Sequence, residues 1–108
     1  MIFDKGDIIE VDFNPTRGHE PANKRPALVI SNFDFNTSNS MTIVCPITNR
    51  LKPFFLHFEI PDASLVTGSI VTEQLRALDL EARGARKIST LDANTLDKVL
   101  RCVKSFFD

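Results

Sequence analysis

Tryptophan and tyrosine are missing from this 108-residue chain, and cysteine and glycine are scarce, at two and four residues. Cys45 and Cys102 stand far apart among apolar neighbours, without the close spacing of a zinc site or a redox pair, so two buried, reduced thiols are expected. The few glycines form no Gly-rich phosphate loop, and there is no nucleophile elbow. His19 and His57 are widely separated and lack the carboxylate spacing of a metal-ligand set. The expectation is therefore no metal and no nucleotide cofactor. No apolar run approaches the ~20 residues of a membrane span, and residues 1–7 lack the basic and apolar regions of a signal peptide. A soluble, cytoplasmic protein without membrane association is expected. An excess of charge of either sign is also lacking, with 13 Lys and Arg against 14 Asp and Glu. This excludes an acidic disordered chain and a histone-like one. The charges are unevenly spread, with Asp4, Asp7, Glu10, Asp12 and Glu20 near the start and Arg83, Arg86, Lys87, Lys98, Arg101 and Lys104 near the end. A near-neutral whole with one basic end suits a bounded anionic ligand.

What is present is a core: 43% of the residues are hydrophobic, nine of them Phe, enough for one domain over residues 1–108. Ile9, Val11 and Phe13 alternate with Glu10 and Asp12, a period-two strand ending at Asn14-Pro15. Residues 26–31 read as a second, more buried strand and residues 41–48 as a third. Phe54, Leu56, Phe58 and Ile60 alternate with Phe55, His57 and Glu59 as a fourth; residues 69–73 form a fifth and 86–89 a sixth. The period then changes: Leu96, Val99, Leu100, Val103 and Phe107 make one stripe of an amphipathic helix. Ser89 or Thr90 is expected to cap it, with Asp92 favourable at the positive end of its dipole. The fold class is mainly β with a C-terminal helix, a small, strongly bent sheet or barrel with the helix against it.

Three polar clusters interrupt this pattern. A long loop, residues 15–25, carries Arg17, His19, Glu20, Lys24 and Arg25, and a loop of that length in a small domain is usually functional. Arg25 precedes Pro26, which forces its backbone to be extended at the mouth of the second strand. Thr48, Asn49 and Arg50 close the third strand, and Glu73, Gln74 and Arg76 close the fifth. These clusters can gather on one rim, yet by themselves they fit surface salt bridges and strand-end hydrogen bonding equally well.

The order of motifs says more. Gly6-Asp7-Ile8, Val11-Asp12-Phe13-Asn14-Pro15, Gly18-His19-Glu20, Arg25-Pro26-Ala27-Leu28-Val29-Ile30-Ser31, Phe35-Asn36, Pro46-Ile47-Thr48, Gln74-Leu75-Arg76 and Asp79-Leu80-Glu81-Ala82-Arg83-Gly84 follow one another along nearly the whole chain. Together they resemble the MazF/PemK (Kid) family of toxins from bacterial toxin–antitoxin modules. The PemK branch has an Arg and an Asp just before the Gln, where this chain has Val71 and Glu73, so the likeness is to the MazF branch.

The resemblance implies an SH3-like small barrel of the CcdB/PemK type, a homodimer, and an mRNA interferase whose action arrests growth. Such an enzyme cleaves single-stranded RNA, mRNA above all, without a metal and with sequence selectivity. Arg25 and Thr48 match the family's Arg-Pro and third-strand positions, and Glu20, with His19 as the other possibility, matches the loop base. Arg17, Lys24, Asn36, Asn49, Arg50, Lys52, Glu73, Gln74, Arg76 and Arg86 become the RNA-binding candidates. The implied partner is an antitoxin with an acidic, disordered C-terminal segment, and DNA is met only through the antitoxin complex. RNA carries its own nucleophile, the 2′-hydroxyl, so such a set needs only to move two protons and stabilise a pentacoordinate phosphate, leaving 2′,3′-cyclic phosphate and 5′-hydroxyl ends. The alternative is a CcdB-type gyrase poison, which would share the fold and cleave nothing.

Overall fold

Strands separated by short turns build most of the molecule, a computed structural model that describes residues 2–13, 24–49, 52–61 and 64–108. In chain order the elements are β1 (Asp7–Asp12), β2 (Lys24–Val29), α1 (Phe33–Ser38), β3 (Thr42–Thr48), β4 (His57–Glu59), β5 (Ser69–Val71), a 3-10 turn (Thr72–Gln74), β6 (Arg76–Leu78), β7 (Arg86–Thr90) and α2 (Ala93–Ser105). The strands make one antiparallel sheet in the order β4-β5-β3-β2-β1-β7, with β6 also on β3. One edge of β3 is shared: Thr42, Ile43 and Val44 pair with β6, while Ile47 and Thr48 pair with β5. The mainly β class with a C-terminal helix holds, although among the described residues the sheet stays open.

The central strands are buried on both faces, which is why β2 reads as a continuous apolar run rather than an alternation. Ile9, Val11, Ala27, Val29 and Val44 meet Phe3, Phe13, Leu78 and Leu80 on one side. On the other side Ile8, Leu28, Cys45, Ile47 and Ile70 meet Leu91 and Val99, with Leu96 and Val103 of α2 packed against them. Alternation along β1 sends Ile8 to one side and Ile9 and Val11 to the other, while the register with β7 skips Ile88 as a bulge on that strand.

Several boundaries differ from the sequence expectations. The fifth strand does not run to residue 73; after Val71 the chain tightens into the 3-10 turn, pinned where Thr72 donates both its N–H (3.3 Å) and its hydroxyl (2.6 Å) to the Leu56 carbonyl. It then re-enters the sheet as β6. The fourth strand is only three residues long, and Phe54 and Phe55 are exposed ahead of it. Asp92, rather than Ser89 or Thr90, caps α2: its carboxylate accepts from the Thr95 N–H and hydroxyl at 2.9 Å each, which holds its pKa below the usual carboxylate value. Ser89 and Thr90 belong to β7. Phe107 lies beyond the helix and is exposed, so the buried stripe ends one turn earlier than its periodicity indicates.

A short helix that periodicity does not reveal, α1, follows β2. Asn32 caps it through the Phe35 N–H at 2.9 Å. Its Asn36, a candidate RNA contact by sequence, is only 4% exposed, and its amide is fully engaged inside the molecule. It donates to the carbonyls of Phe3 (2.9 Å) and Ser31 (3.0 Å) and accepts from the Ser31 hydroxyl, whose oxygen accepts from the Ile43 N–H (2.9 Å). Asn36 therefore ties the N-terminal segment, the exit of β2 and the start of β3 together, and it is not available to RNA. Replacing it with Ala leaves buried partners unsatisfied, so Asn36→Ala should lose about 2–3 kcal/mol in urea denaturation.

Candidate functional site

Strand register assembles the site. The pairing of β2 with β3 runs through Ala27↔Pro46, and continuing it by two residues sets Arg25 opposite Thr48. On its other side Arg25 pairs with Val11, and Thr48 pairs with Ser69. Two open hollows meet at these residues. One is lined by Arg25, Pro26, Ile47, Thr48, Asn49 and Thr67. The other, about 390 Å³, is lined by Phe13, Arg25, Pro46, Thr48, Gln74 and Arg76. That volume lies in the range of small-ligand sites. Arg25, Thr48, Asn49, Gln74 and Arg76 are thus brought to one place from four segments of the chain.

Electrostatics distinguishes the basic side chains. Arg86 is held by Glu10 (3.1 Å) and Lys87 by Asp7 (3.1 Å), so the acidic start of the chain neutralises part of its basic end. Arg101 pairs with Asp97 within α2 (2.8 Å). Lys24 donates to the Gly84 carbonyl at 3.0 Å, and Arg83 clamps the exit of β1 through the carbonyls of Asp12 (3.2 Å) and Phe13 (2.6 Å). Among the described residues no carboxylate pairs with Arg25 or with Arg76. Arg76 lies over the Phe13 ring at 5.7 Å, a cation–π contact that orients it while leaving its charge uncompensated. Two guanidinium groups without a carboxylate partner line one hollow, an arrangement whose chemistry suits an anion.

Glu73 stands one residue before Gln74 and accepts from His57 Nε2 at 2.8 Å. Desolvation raises its pKa, but the hydrogen bond from His57 outweighs this and keeps the carboxyl below its ordinary value. Lys52 lines a separate hollow with Pro53, Phe54, His57, Glu59 and Ser69. Cys45 is fully buried, and burial pushes its thiol up to about 12, whereas Cys102 is half-buried beside the Thr72 hydroxyl (3.7 Å). Only the first thiol is as deeply placed as its sequence surroundings indicate. Arg17, His19, Glu20 and Arg50 lie outside the described residues.

Sequence reading missed Gly68. Its φ of +123° suits glycine, and a Cβ there would stand 2.9 Å from the Thr48 carbonyl oxygen and 3.0 Å from Asn49 Oδ1. The close approach of the turn before β5 thus supports the end of β3 from below. No spacing along the chain marks Thr48 and Asn49 as the neighbours of Gly68.

A profile of the PemK-like, MazF-like toxins of type II toxin–antitoxin systems matches residues 4–107. The chain belongs to this family. Among curated relatives, the Escherichia coli (strain K12) endoribonuclease toxin ChpB is 39% identical over 106 residues, covering 91% of this chain and 88% of its own. The endoribonuclease toxin MazF of the same strain is 35% identical over 97 residues, covering 89% and 86%. The crystal structure of MazF from Deinococcus radiodurans superposes with a TM-score of 0.86 at 29% identity, covering 98% of this chain and 96% of that one. The family fold therefore extends across the open sheet, the 3-10 turn and α2. Gly68→Ala should lower stability by about 1–3 kcal/mol and shift the amide resonances of Thr48 and Asn49 while leaving those around Asn36 in place. An unchanged Thr48 resonance would contradict the supporting role of the turn.

Proposed function

We propose that this MazF/PemK-family toxin is an endoribonuclease that binds the scissile phosphate of single-stranded RNA in the hollow between Arg25 and Thr48. The observation that carries this reading is the convergence of an uncompensated guanidinium and a strand-end hydroxyl on one open hollow. Arg25 offers two N–H donors in a fixed fork to the non-bridging oxygens, stabilising the charge that grows as the phosphate becomes pentacoordinate. Thr48 donates to one of those oxygens or to the sugar. Arg76 and Lys52 receive neighbouring phosphates, and Asn49 and Gln74 supply amides for base edges.

The nucleophile is the RNA's own 2′-hydroxyl. Glu20, or else His19, removes its proton, and the leaving 5′-oxygen takes one up; the products are a 2′,3′-cyclic phosphate and a 5′-hydroxyl. Because the nucleophile is built into the substrate, no metal is needed to activate water, and DNA is inert. A gyrase-binding role without cleavage is not favoured: it gives no reason for Arg25 and Thr48 to converge, and the curated relatives are named endoribonucleases.

The active species in this reading is a homodimer whose groove takes the RNA, mRNA in the cell. Structures of MazE–MazF from Deinococcus radiodurans pair that toxin with an antitoxin. By extension, a cognate antitoxin with an acidic extended segment competes here for the Arg25–Arg76 surface, since its charge resembles that of RNA. Among the described residues no helix is long and apolar enough to cross a membrane.

Arg25→Ala should lower cleavage of an unstructured RNA by ~100–1,000-fold, as for loss of one preorganised donor, with little change in Tm. Full activity would remove Arg25 from the reaction. In a second assay, cleavage should continue in excess EDTA and leave cyclic phosphate ends. Loss with chelator and recovery with Mg²⁺ would point to metal-assisted hydrolysis instead.

A further inference from the structure

Phe54 and Phe55 stand in the open, 47% and 78% exposed, on a turn that is nonetheless fixed. The His57 N–H closes the turn by donating to the Phe54 carbonyl at 2.9 Å. Its far side is anchored as well, since the Leu56 carbonyl accepts both the N–H and the hydroxyl of Thr72. The two phenyl rings meet at 4.8 Å with their planes tilted by 58°, and Phe54 meets the His57 imidazole at 5.0 Å. Neither ring belongs to a core cluster. Aromatic surface is thus held in place yet left in water, for which folding alone gives no reason.

Register connects this turn to the hollow already described. Directly paired residues project from the same face of a sheet. Thr48 pairs with Ser69 and Ser69 with Glu59, while Arg25 stands opposite Thr48 by continuation of the β2–β3 pairing. Arg25, Thr48, Ser69 and Glu59 therefore form one row on one face, across β2, β3, β5 and β4. Ser69 and Glu59 also line a small hollow of about 170 Å³ with Lys52, Pro53, Phe54 and His57. That volume is below the range of pockets for free small molecules. At ~4.8 Å per strand, the small hollow begins one strand from Thr48 and reaches ~10 Å from it. An extended chain held at Arg25 and Thr48 and running across the strands arrives there next.

We propose that Phe54 and Phe55 are a stacking platform for an unpaired base of the RNA, one neighbouring the nucleotide whose phosphate is cleaved between Arg25 and Thr48. This rests on the reading that RNA occupies that hollow. A phosphate site selects no base, whereas aromatic faces are a principal means of holding single-stranded RNA by its bases. Lys52 and Glu59 line the small hollow with opposite charges, so it adds no net attraction for a polyanion. What it offers is aromatic surface ringed by polar groups, and a nucleobase is a flat ring with polar edges. An apolar protein segment fits less well, because it would cover Lys52, Glu59 and Ser69 without giving them partners. Phenyl rings on a fixed turn also lose little conformational freedom on binding.

The test is steady-state cleavage of a defined RNA by the full chain, with kcat and KM separated. Phe54→Ala and Phe55→Ala should each raise KM about 5- to 100-fold, the range for loss of one base–aromatic stack, with kcat changed less. Phe55→Leu keeps apolar bulk without an aromatic face and should lose as much; Phe55→Trp should keep the low KM. Because the chain has no Trp of its own, the indole introduced by Phe55→Trp is the sole one. Its fluorescence should be quenched by a 2′-O-methyl RNA, which lacks the nucleophile. An abasic nucleotide, moved one position at a time beside the mapped cleavage site, should at one position raise KM for the unaltered protein and add nothing in Phe55→Ala. An unchanged KM in Phe55→Ala, or a low KM kept by Phe55→Leu, overturns the proposal. An unchanged KM with a halved mass in sedimentation also overturns it and assigns the pair to a contact between copies of the chain. Absence of cleavage by the unaltered chain overturns the endoribonuclease reading instead, and quenching of Phe55→Trp then still decides whether the pair meets RNA.

Discussion

The register between β2 and β3 is the constraint on which the site depends. Ala27, Leu28 and Val29 pair with Pro46, Cys45 and Val44, and each of these residues except Pro46 is fully buried. Because side chains alternate across a strand, a slip of one residue would exchange every one of them between the two cores. The burial of Leu28 and Cys45 on the α2 side, and of Ala27, Val29 and Val44 on the other, therefore locks the alignment that brings Arg25 opposite Thr48. Gly68 adds a local constraint at the same point, since the turn before β5 approaches the Thr48 carbonyl too closely for any side chain. The polar residues of the site are thus placed by apolar ones that never touch a ligand.

Charge is distributed by the same sheet. Pairing β1 with β7 brings the acidic start of the chain against its basic end, and the ion pairs Glu10–Arg86 and Asp7–Lys87 result. These are exposed contacts of small energetic value; their effect is to remove Arg86 and Lys87 as unopposed cations. Among the described residues that line the hollow, Arg25 and Arg76 are cations without a carboxylate partner. A chain of net charge -1 can in this way present a local site for a polyanion.

Much of this is legible in the sequence, and the gaps have physical causes. Period-two alternation gives β1, the apolar run of residues 26–31 gives β2, and the Leu96–Val99–Val103 stripe gives α2. The convergence of Arg25 with Thr48 needed the ordered motifs of a family, because neither residue carries a local signal of the other. α1 escaped notice because it is one and a half turns long and is held by the Asn32 cap and the buried Asn36 amide rather than by an apolar stripe. The same burial explains why Asn36, polar and in a family motif, reads as a binding residue and is instead a tie between backbone segments. The break at Thr72–Gln74 and the His57–Glu73 contact depend on the β4–β5 pairing, a long-range fact that no spacing along the chain encodes.

The central claim is that Arg25 and Thr48 act together on one phosphate. A double-mutant cycle in single-turnover RNA cleavage, using Arg25→Ala, Thr48→Val and the double variant, tests it most directly. If both side chains stabilise the same pentacoordinate phosphate, the double variant should be little slower than the worse single variant. Losses that simply multiply, or a Thr48→Val protein that cleaves at the unaltered rate, would contradict the account.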